Sequence, residues 1–204
     1  MDKKAHWEKI YATKANDEVS WYQPLPKDSL DLITNSSIEL DDPIIDVGAG
    51  NSFLVDHLLK KGFTNITVLD ISKNAINKAK NRLGEKAELV NWVVTDILDF
   101  KSETMYKLWH DRAVFHFIRD EEEIEKYKKI LEAVTYSEAH MVLATFSENG
   151  PDKCSGIQIK KHSTTDLQTN FRNWEMLSSY RKIHPTPFKT TQEFTFFHAK
   201  KKSS

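Results

Sequence analysis

The sequence predicts an α/β protein in which a mostly parallel sheet has helices on both faces and one antiparallel strand near its edge. Two observations support this prediction. Short apolar runs, typical of buried strands, alternate with helical patterns through the middle of the chain. Near the end, about eight residues separate two strand-like segments, which is too short for a helical crossover.

Five apolar runs are predicted to be the parallel strands: Pro43–Val47, Asn65–Asp70, Glu88–Thr95, Tyr106–His110 and His140–Phe146. The helical patterns between them cover Ser52–Lys61, Lys73–Leu83 and Asp120–Val134. Gly62 and Gly84 directly follow the first two patterns, where helices commonly end. Strands that alternate with helices in this way lie parallel in a sheet that is covered on both faces.

The last two strand-like segments are Trp174–Ile183 and Gln192–Lys200. Their short connection contains Pro185 and Pro187, so they are predicted to pair antiparallel.

Composition excludes several classes of protein. The chain has 204 residues, and its net charge of −1 gives no sign of a nucleic-acid or membrane partner. The single cysteine, Cys154, cannot form an intramolecular disulfide and fits a reducing compartment. The charged N-terminal sequence is unlike a signal peptide, and no run approaches the roughly 18 apolar residues of a membrane helix. We therefore expect a cytoplasmic monomer or weak dimer without a metal.

The stretch "PIIDVGAGNSFL" places a Gly-x-Gly turn after the first strand. Gly48 and Gly50 let the backbone turn tightly and come close to a ligand. A fingerprint for pyrophosphate would require a third glycine where the chain has Phe53.

Three acids sharpen the prediction, because Asp46, Asp70 and Asp96 lie at or near the ends of successive strands. Asp70 is placed to accept hydrogen bonds from two ribose hydroxyls, and Asp96 to meet the exocyclic amine of an adenine. Negatively charged carboxylates favour a ligand that carries an ammonium and a sulfonium group. S-adenosylmethionine carries both. The alternative is that the three acids only cap strands and helices.

The segments "IIDVGAGNSFLVDHLLKKGFTNITVLDIS", "VTDIL" and "LWHDRAVFHF" resemble the class I S-adenosylmethionine-dependent methyltransferase family. Within it, the chain is similar to small methyltransferase-domain proteins that contain "WHDRAVFHF". The resemblance covers nearly the whole chain and implies a three-layer, Rossmann-like sheet of seven strands. It divides the single domain 1–204 into an N-terminal helical lid (1–36), a cofactor-binding core (43–147) and a C-terminal loop with an antiparallel hairpin (148–204).

The resemblance also implies roles for individual residues. Asp46, Gly48 and Gly50 would surround the methionine part of the cofactor, and Ile71, Asp96 and Ile97 would contact the adenine. Ser52 offers a backbone N–H at a helix start. Tyr11 and Trp21 of the lid offer aromatic faces to the sulfonium. The predicted cofactor-binding residues are Asp46, Gly48, Ala49, Gly50, Ser52, Asp70, Ile71, Asp96, Ile97, Tyr11 and Trp21.

The predicted catalytic residues lie at the end of the fourth strand and just beyond it, and are His110, Asp111, Arg112 and His116. A histidine or Asp111 could act as a base or orient the acceptor, a small molecule or protein side chain. Alternatively, Asp111 and Arg112 form a structural pair and His116 is a packing residue. An acceptor that is already an anion would need no base, and Arg112 would then be its partner.

Two exclusions narrow the chemistry. The chain has no Pro-Pro pair of the kind found in methyltransferases acting on adenine or glutamine amides. It also lacks the Pro-Cys nucleophile of the cytosine-C5 enzymes, since Lys153 precedes the only cysteine. A non-catalytic S-adenosylmethionine-binding module and an NAD-dependent oxidoreductase remain as alternatives.

Overall fold

The computed structural model describes residues 2–203 and is built around a seven-stranded sheet. Its strands are β1 (Ile44–Val47), β2 (Ile66–Asp70), β3 (Val90–Val94), β4 (Tyr106–Arg112), β5 (Thr135–Phe146), β8 (Trp174–Pro185) and β9 (Thr191–Lys201), and a separate hairpin pairs β6 (Lys153–Cys154) with β7 (Ile157–Gln158). The order is β3-β2-β1-β4-β5-β9-β8. Only β9 runs against its neighbours in this sheet, so the predicted fold class is confirmed.

Six α-helices surround the sheet: α1 (Lys3–Thr13), α2 (Lys27–Thr34), α3 (Leu54–Lys60), α4 (Lys73–Leu83), α5 (Glu121–Ala133) and α6 (Thr164–Asn170). The helices α2, α3 and α4 pack on one face and α5 and α6 on the other. Each face of the sheet therefore has its own hydrophobic core. Successive residues of β4 alternate between the two, with Leu108 in the core under α2, α3 and α4 and Trp109 in the core under α5 and α6.

Most strand boundaries lie within two residues of the prediction, and the starts of β3 and β5 are the two that have a clear structural reason to differ. β3 begins at Val90 because Gly84–Leu89 forms a 3₁₀ helix. β5 begins at Thr135 rather than at His140, and the residues that extend it, Tyr136 to Glu138, are exposed. An exposed polar stretch lacks the apolar run on which the prediction depended.

The predicted lid contains two helices with different packing. α2 is part of the core through Leu30 and Ile33. α1 lies against α4, where the Glu8 carboxylate accepts hydrogen bonds from the Ser72 hydroxyl (2.9 Å) and from the backbone N–H groups of Lys73 (2.9 Å) and Asn74 (3.0 Å). Glu8 thus caps the start of α4 and fastens α1 to the carboxyl edge of the sheet.

The parallel register brings the candidate site residues to one edge. Asp46 lies beside His110 on β4, and Asp70 ends β2 beside Val94. The carboxyl ends of β1, β2, β3 and β4 therefore converge below α1, where ligands bind in open α/β sheets.

Candidate active site

The turn after β1 requires glycine at two positions. Gly48 and Gly50 have φ values of +62° and +57°, in the left-handed region. A Cβ on Gly48 would lie 1.8 Å from Val114 Cγ2, and one on Gly50 would lie 2.1 Å from the Tyr11 hydroxyl. The turn is therefore enclosed by α1 on one side and by the segment after β4 on the other.

Asp70 is buried next to this turn. Its carboxylate accepts hydrogen bonds from the backbone N–H groups of Gly50 (2.7 Å) and Ser72 (2.7 Å). Burial raises the pKa of Asp70 to about 7, with smaller increases from Asp46 and Glu8, although the two N–H groups oppose the rise. Within residues 2–203 no side chain donates a hydrogen bond to this carboxylate, and it faces a cavity.

The first cavity lies beyond the ends of β2 and β3. It is lined by Lys3, Trp7, Tyr11, Trp21, Val47, Gly48, Leu69, Asp70, Ile71, Thr95, Asp96, Ile97, Leu98, Arg112, Ala113, Val114, Phe117, Ile118 and Cys154. One oxygen of Asp96 accepts the Leu98 N–H at 2.9 Å. Two carboxylates in a mainly apolar slot suit a planar base with an attached sugar.

The second cavity lies on the other side of Gly48 and includes Asp46, Ala49, Ser52 and His110 in its lining. Asp46 accepts a hydrogen bond from His110 Nδ1 at 2.6 Å, because a carboxylate has only acceptors to offer. The other ring nitrogen, Nε2, is 2.8 Å from the Ser29 hydroxyl. This Ser29–His110–Asp46 chain fixes the Asp46 carboxylate at the cavity wall.

The two cavities share the wall residues Tyr11, Trp21, Gly48 and Arg112. The ring centroids of Tyr11 and Trp21 are 6.4 Å apart, and Trp7 packs against both. Arg112 Nη1 donates to the Trp21 carbonyl at 3.1 Å. A cationic side chain and two aromatic rings thus meet where the cavities join.

Two of the predicted catalytic residues lie away from both cavities. Asp111 accepts hydrogen bonds from the Tyr127 hydroxyl (2.7 Å) and the Val114 N–H (2.9 Å), on the opposite face of β4 from Arg112. His116 is fully buried, and burial lowers its pKa to about 3, helped by His162 and Arg112. The geometry gives no support to either residue as a base, whereas His110 and Arg112 do line the second cavity.

Three residues of the site were missed in the sequence. Glu8 and Ser29 act on partners 64 to 81 residues away, and no local pattern indicates such contacts. Cys154 lies in β6 and in the wall of the first cavity, a place that its sequence neighbours do not indicate. Burial raises the pKa of its thiol to about 12, so it stays protonated.

These features fit S-adenosylmethionine. The glycine turn leaves no room for a Cβ, an acid stands at the end of each of three neighbouring strands, and aromatic faces lie where the two cavities join. The fold and the site fit the class I S-adenosylmethionine-dependent methyltransferase domain that the sequence resembles.

Comparison with known proteins agrees with this assignment. Residues 44–136 match the family model of the methyltransferase domain. The chain is 31% identical over 108 residues to malonyl-[acyl-carrier protein] O-methyltransferase 2 of Ilyobacter polytropus. That match covers 52% of this chain and 41% of the relative, so the chain spans about two fifths of the curated relative's length.

Solved structures share the fold across nearly all of the chain. An S-adenosylmethionine-dependent methyltransferase from Anabaena variabilis has a TM-score of 0.75 at 17% identity, covering 98% of this chain and 93% of that chain. The 1,6-didemethyltoxoflavin-N1-methyltransferase of Burkholderia thailandensis, solved with S-adenosylhomocysteine, has a TM-score of 0.73 at 15% identity, covering 98% and 87%.

Within residues 2–203 the longest α-helix, α5, has 13 residues, and none of the helices there has the length and apolar character needed to cross a membrane.

Proposed function

We propose that this protein transfers a methyl group from S-adenosylmethionine to a small-molecule or protein acceptor. The observation that supports this most directly is the pair of cavities joined at Tyr11, Trp21, Gly48 and Arg112. A bipartite ligand needs such a site, with one compartment for each half and the reacting group at the junction. When bound, S-adenosylmethionine supplies a methyl group that its sulfonium has already activated.

The first cavity is proposed to hold the adenosine half. Asp70 offers its carboxylate to the ribose hydroxyls, since among the described residues only backbone N–H groups bind it. Asp96 has one oxygen beyond its bond to Leu98, and this oxygen suits an exocyclic amine. Ile71 and Ile97 supply apolar contact for the base.

The second cavity is proposed to hold the methionine half. Gly48 and Ala49 of the turn line this cavity together with Ser52, which precedes α3, and Gly50 completes the turn. Asp46 presents a carboxylate to the ammonium group, and His110 with Ser29 keeps that carboxylate in place. Within this proposal His110 is a positioning residue rather than a base.

The acceptor side makes few demands on the protein beyond positioning. Tyr11 and Trp21 shield the junction from water and offer ring faces to a cation. Burial raises the pKa of Tyr11 well above its usual value, with a contribution from Asp70, so the phenol is a poor base. The malonyl-[acyl-carrier protein] relative is an O-methyltransferase and the toxoflavin enzyme an N1-methyltransferase, so acceptor chemistry varies among similar proteins.

We extend the proposal to a cytoplasmic monomer or weak dimer that does not bind nucleic acid. The single, buried cysteine suits a reducing compartment, and the net charge of −1 offers little attraction to phosphates.

The proposal is tested in two stages with the purified protein. Calorimetry should show binding of S-adenosylmethionine and S-adenosylhomocysteine but not of NAD. Binding of NAD instead would favour the oxidoreductase alternative. Labelled methyl groups should then pass from S-adenosylmethionine to a component of a metabolite pool or cell lysate. Binding without transfer to any component would favour a non-catalytic module.

A further inference from the structure

Arg112 has an unsatisfied guanidinium at the junction of the two cavities. Its Nη1 donates to the Trp21 carbonyl, and its guanidinium lies 4.8 Å from the centroid of the Phe194 ring. Its Nε is buried and has no hydrogen-bond partner within residues 2–203. Burial lowers the pKa of Arg112 to about 10, so the group is still charged at neutral pH.

The two acids that raise the pKa of Arg112, Asp28 and Asp46, are not bonded to it and are engaged by other groups. Asp28 binds Lys182 at 3.3 Å and the Tyr180 hydroxyl at 3.3 Å, and Asp46 is held by His110. The thiol of Cys154 stays protonated, as its raised pKa requires. Arg112 therefore forms no salt bridge in the part of the chain that the structure describes, although Asp28 and Asp46 act on it from further away. A buried cation without a directly bonded acid is costly unless a ligand supplies one.

The position of Arg112 indicates which ligand supplies the charge. Arg112 belongs to both cavities, so it lies where the adenosine and methionine halves would meet rather than at the far end of either half. A guanidinium at this point repels a sulfonium and attracts an anion that approaches the methyl group. Its planar donors also match the two oxygens of a carboxylate.

We propose that Arg112 binds the acceptor, and that the reacting group of the acceptor is a small anion such as a carboxylate. This inference rests on the proposed function. The acceptor oxygen attacks the methyl carbon with its own electron pair, the carbon–sulfur bond breaks, and sulfur keeps that pair as a thioether. No proton moves, which agrees with the absence of His116 and Asp111 from the cavity walls.

The first arm of the test separates the acceptor from the cofactor's own carboxylate. Calorimetry compares S-adenosylhomocysteine with 5′-methylthioadenosine, which lacks the amino-acid part. Arg112→Gln should keep both affinities within about threefold of normal. An S-adenosylhomocysteine affinity that falls more than about tenfold, with 5′-methylthioadenosine unchanged, would overturn the proposal, because Arg112 would then hold the methionine carboxylate.

The second arm uses transfer of a labelled methyl group to cell extract that ion exchange has divided into anionic, neutral and cationic pools. The unaltered protein should label the anionic pool. Arg112→Gln should raise KM there about tenfold or more, with Arg112→Lys intermediate, because lysine keeps the charge but not the planar donors. Arg181→Gln, which removes an exposed arginine from β8, is the matched control and should behave normally.

The inference fails if transfer goes to the neutral or cationic pool, or if Arg112→Gln reacts at the normal rate with the normal KM. Failure of the proposed function is distinguishable from these results. In that case the unaltered protein binds no S-adenosylhomocysteine or labels none of the pools.

Discussion

Two buried acids, Asp70 after the glycine turn and Asp111 after His110, occupy similar places in the sheet and differ in what they bind. Each lies in the last two residues of a parallel strand, and burial raises the pKa of Asp70 to about 7 and that of Asp111 to about 6. In the part of the chain that the structure describes, Asp70 is bound only by backbone N–H groups, and it faces a cavity. Asp111 binds the Tyr127 hydroxyl and two backbone N–H groups inside the core under α5.

The difference shows that an acid at a strand end is a ligand group only when its face of the sheet leaves it free. The Asp111 carboxylate is occupied by hydrogen bonds within the protein. Its bond to the Val114 N–H holds the segment after β4, and the Val114 side chain packs over Gly48. Asp111 supports the cavity wall, whereas Asp70 faces the cavity and is proposed as a ligand group. A raised pKa alone does not separate these two roles.

The largest loss of affinity is expected at Gly48, where the turn beside Asp70 contacts Val114, the residue that Asp111 holds. Gly48→Ala should abolish binding of S-adenosylhomocysteine, a loss of about 100-fold or more, because the new Cβ collides with Val114 and the residue must keep a positive φ. Calorimetry measures the loss, and circular dichroism should remain near native.

Gly84→Ala is the matched control for Gly48→Ala. Gly84 also has a positive φ, of +58°, but a Cβ there meets nothing within 4 Å. It should cost about 1–3 kcal/mol of stability, because its φ and ψ are strained for alanine, and leave affinity unchanged. Equal loss of affinity in both variants would mean that strain, rather than contact with Val114, explains the result.

Substitution of the two acids should separate affinity from stability. Asp70→Asn should weaken binding of S-adenosylhomocysteine by about 10- to 150-fold, because a neutral amide replaces a charged acceptor for two hydroxyls. Asp111→Ala should destabilise the fold by about 3 kcal/mol, because it leaves Tyr127 and buried N–H groups without partners. Calorimetry and denaturant unfolding of both variants decide this. A large affinity loss in Asp111→Ala at temperatures where it is folded would contradict the comparison.

The titration of Asp70 should make binding depend on pH. The carboxyl keeps its proton up to about pH 7 when folded but only to about 3.8 when unfolded, so its contribution to stability is present below pH 3.8 and is lost as the pH rises through about 7. Affinity for S-adenosylhomocysteine should move in the opposite direction, falling by up to about tenfold per unit below pH 7 as the acceptor is protonated. Asp70→Asn should flatten both profiles, and an unchanged affinity profile in that variant would assign the titration to another group.

Much of the fold and part of the site could be predicted from the sequence. The apolar runs of β1, β2 and β4 identify strands because burial on both faces imposes continuous hydrophobicity. The chemistry of the turn and of Asp70 is local, so it is readable. Whether Asp111 or Arg112 faces the cavity depends on the pleat of β4 and on which helices cover each face of the sheet. The local sequence "HDR" does not determine either. The partners of Asp46 and Ser72, namely His110 and Glu8, come together only through the tertiary fold.

The smallest effect is expected at α1, the helix that lines the cavity beside Asp70. Partial burial opposes ionisation of Glu8, but hydrogen bonds from Asn74, Ser72 and Lys73, together with the charge of Lys4, outweigh it and lower its pKa. Glu8→Gln should therefore cost about 1 kcal/mol of stability above pH 5, a difference that disappears as the pH falls and Glu8 itself becomes protonated. Thermal unfolding across pH measures this, with Glu175→Gln on exposed β8 as the control. Because α1 supplies Tyr11 to the shared wall, Glu8→Gln should also weaken S-adenosylhomocysteine binding by about two- to fivefold. A change in stability with no change in affinity would show that Glu8 joins α1 to α4 but that α1 does not close the site.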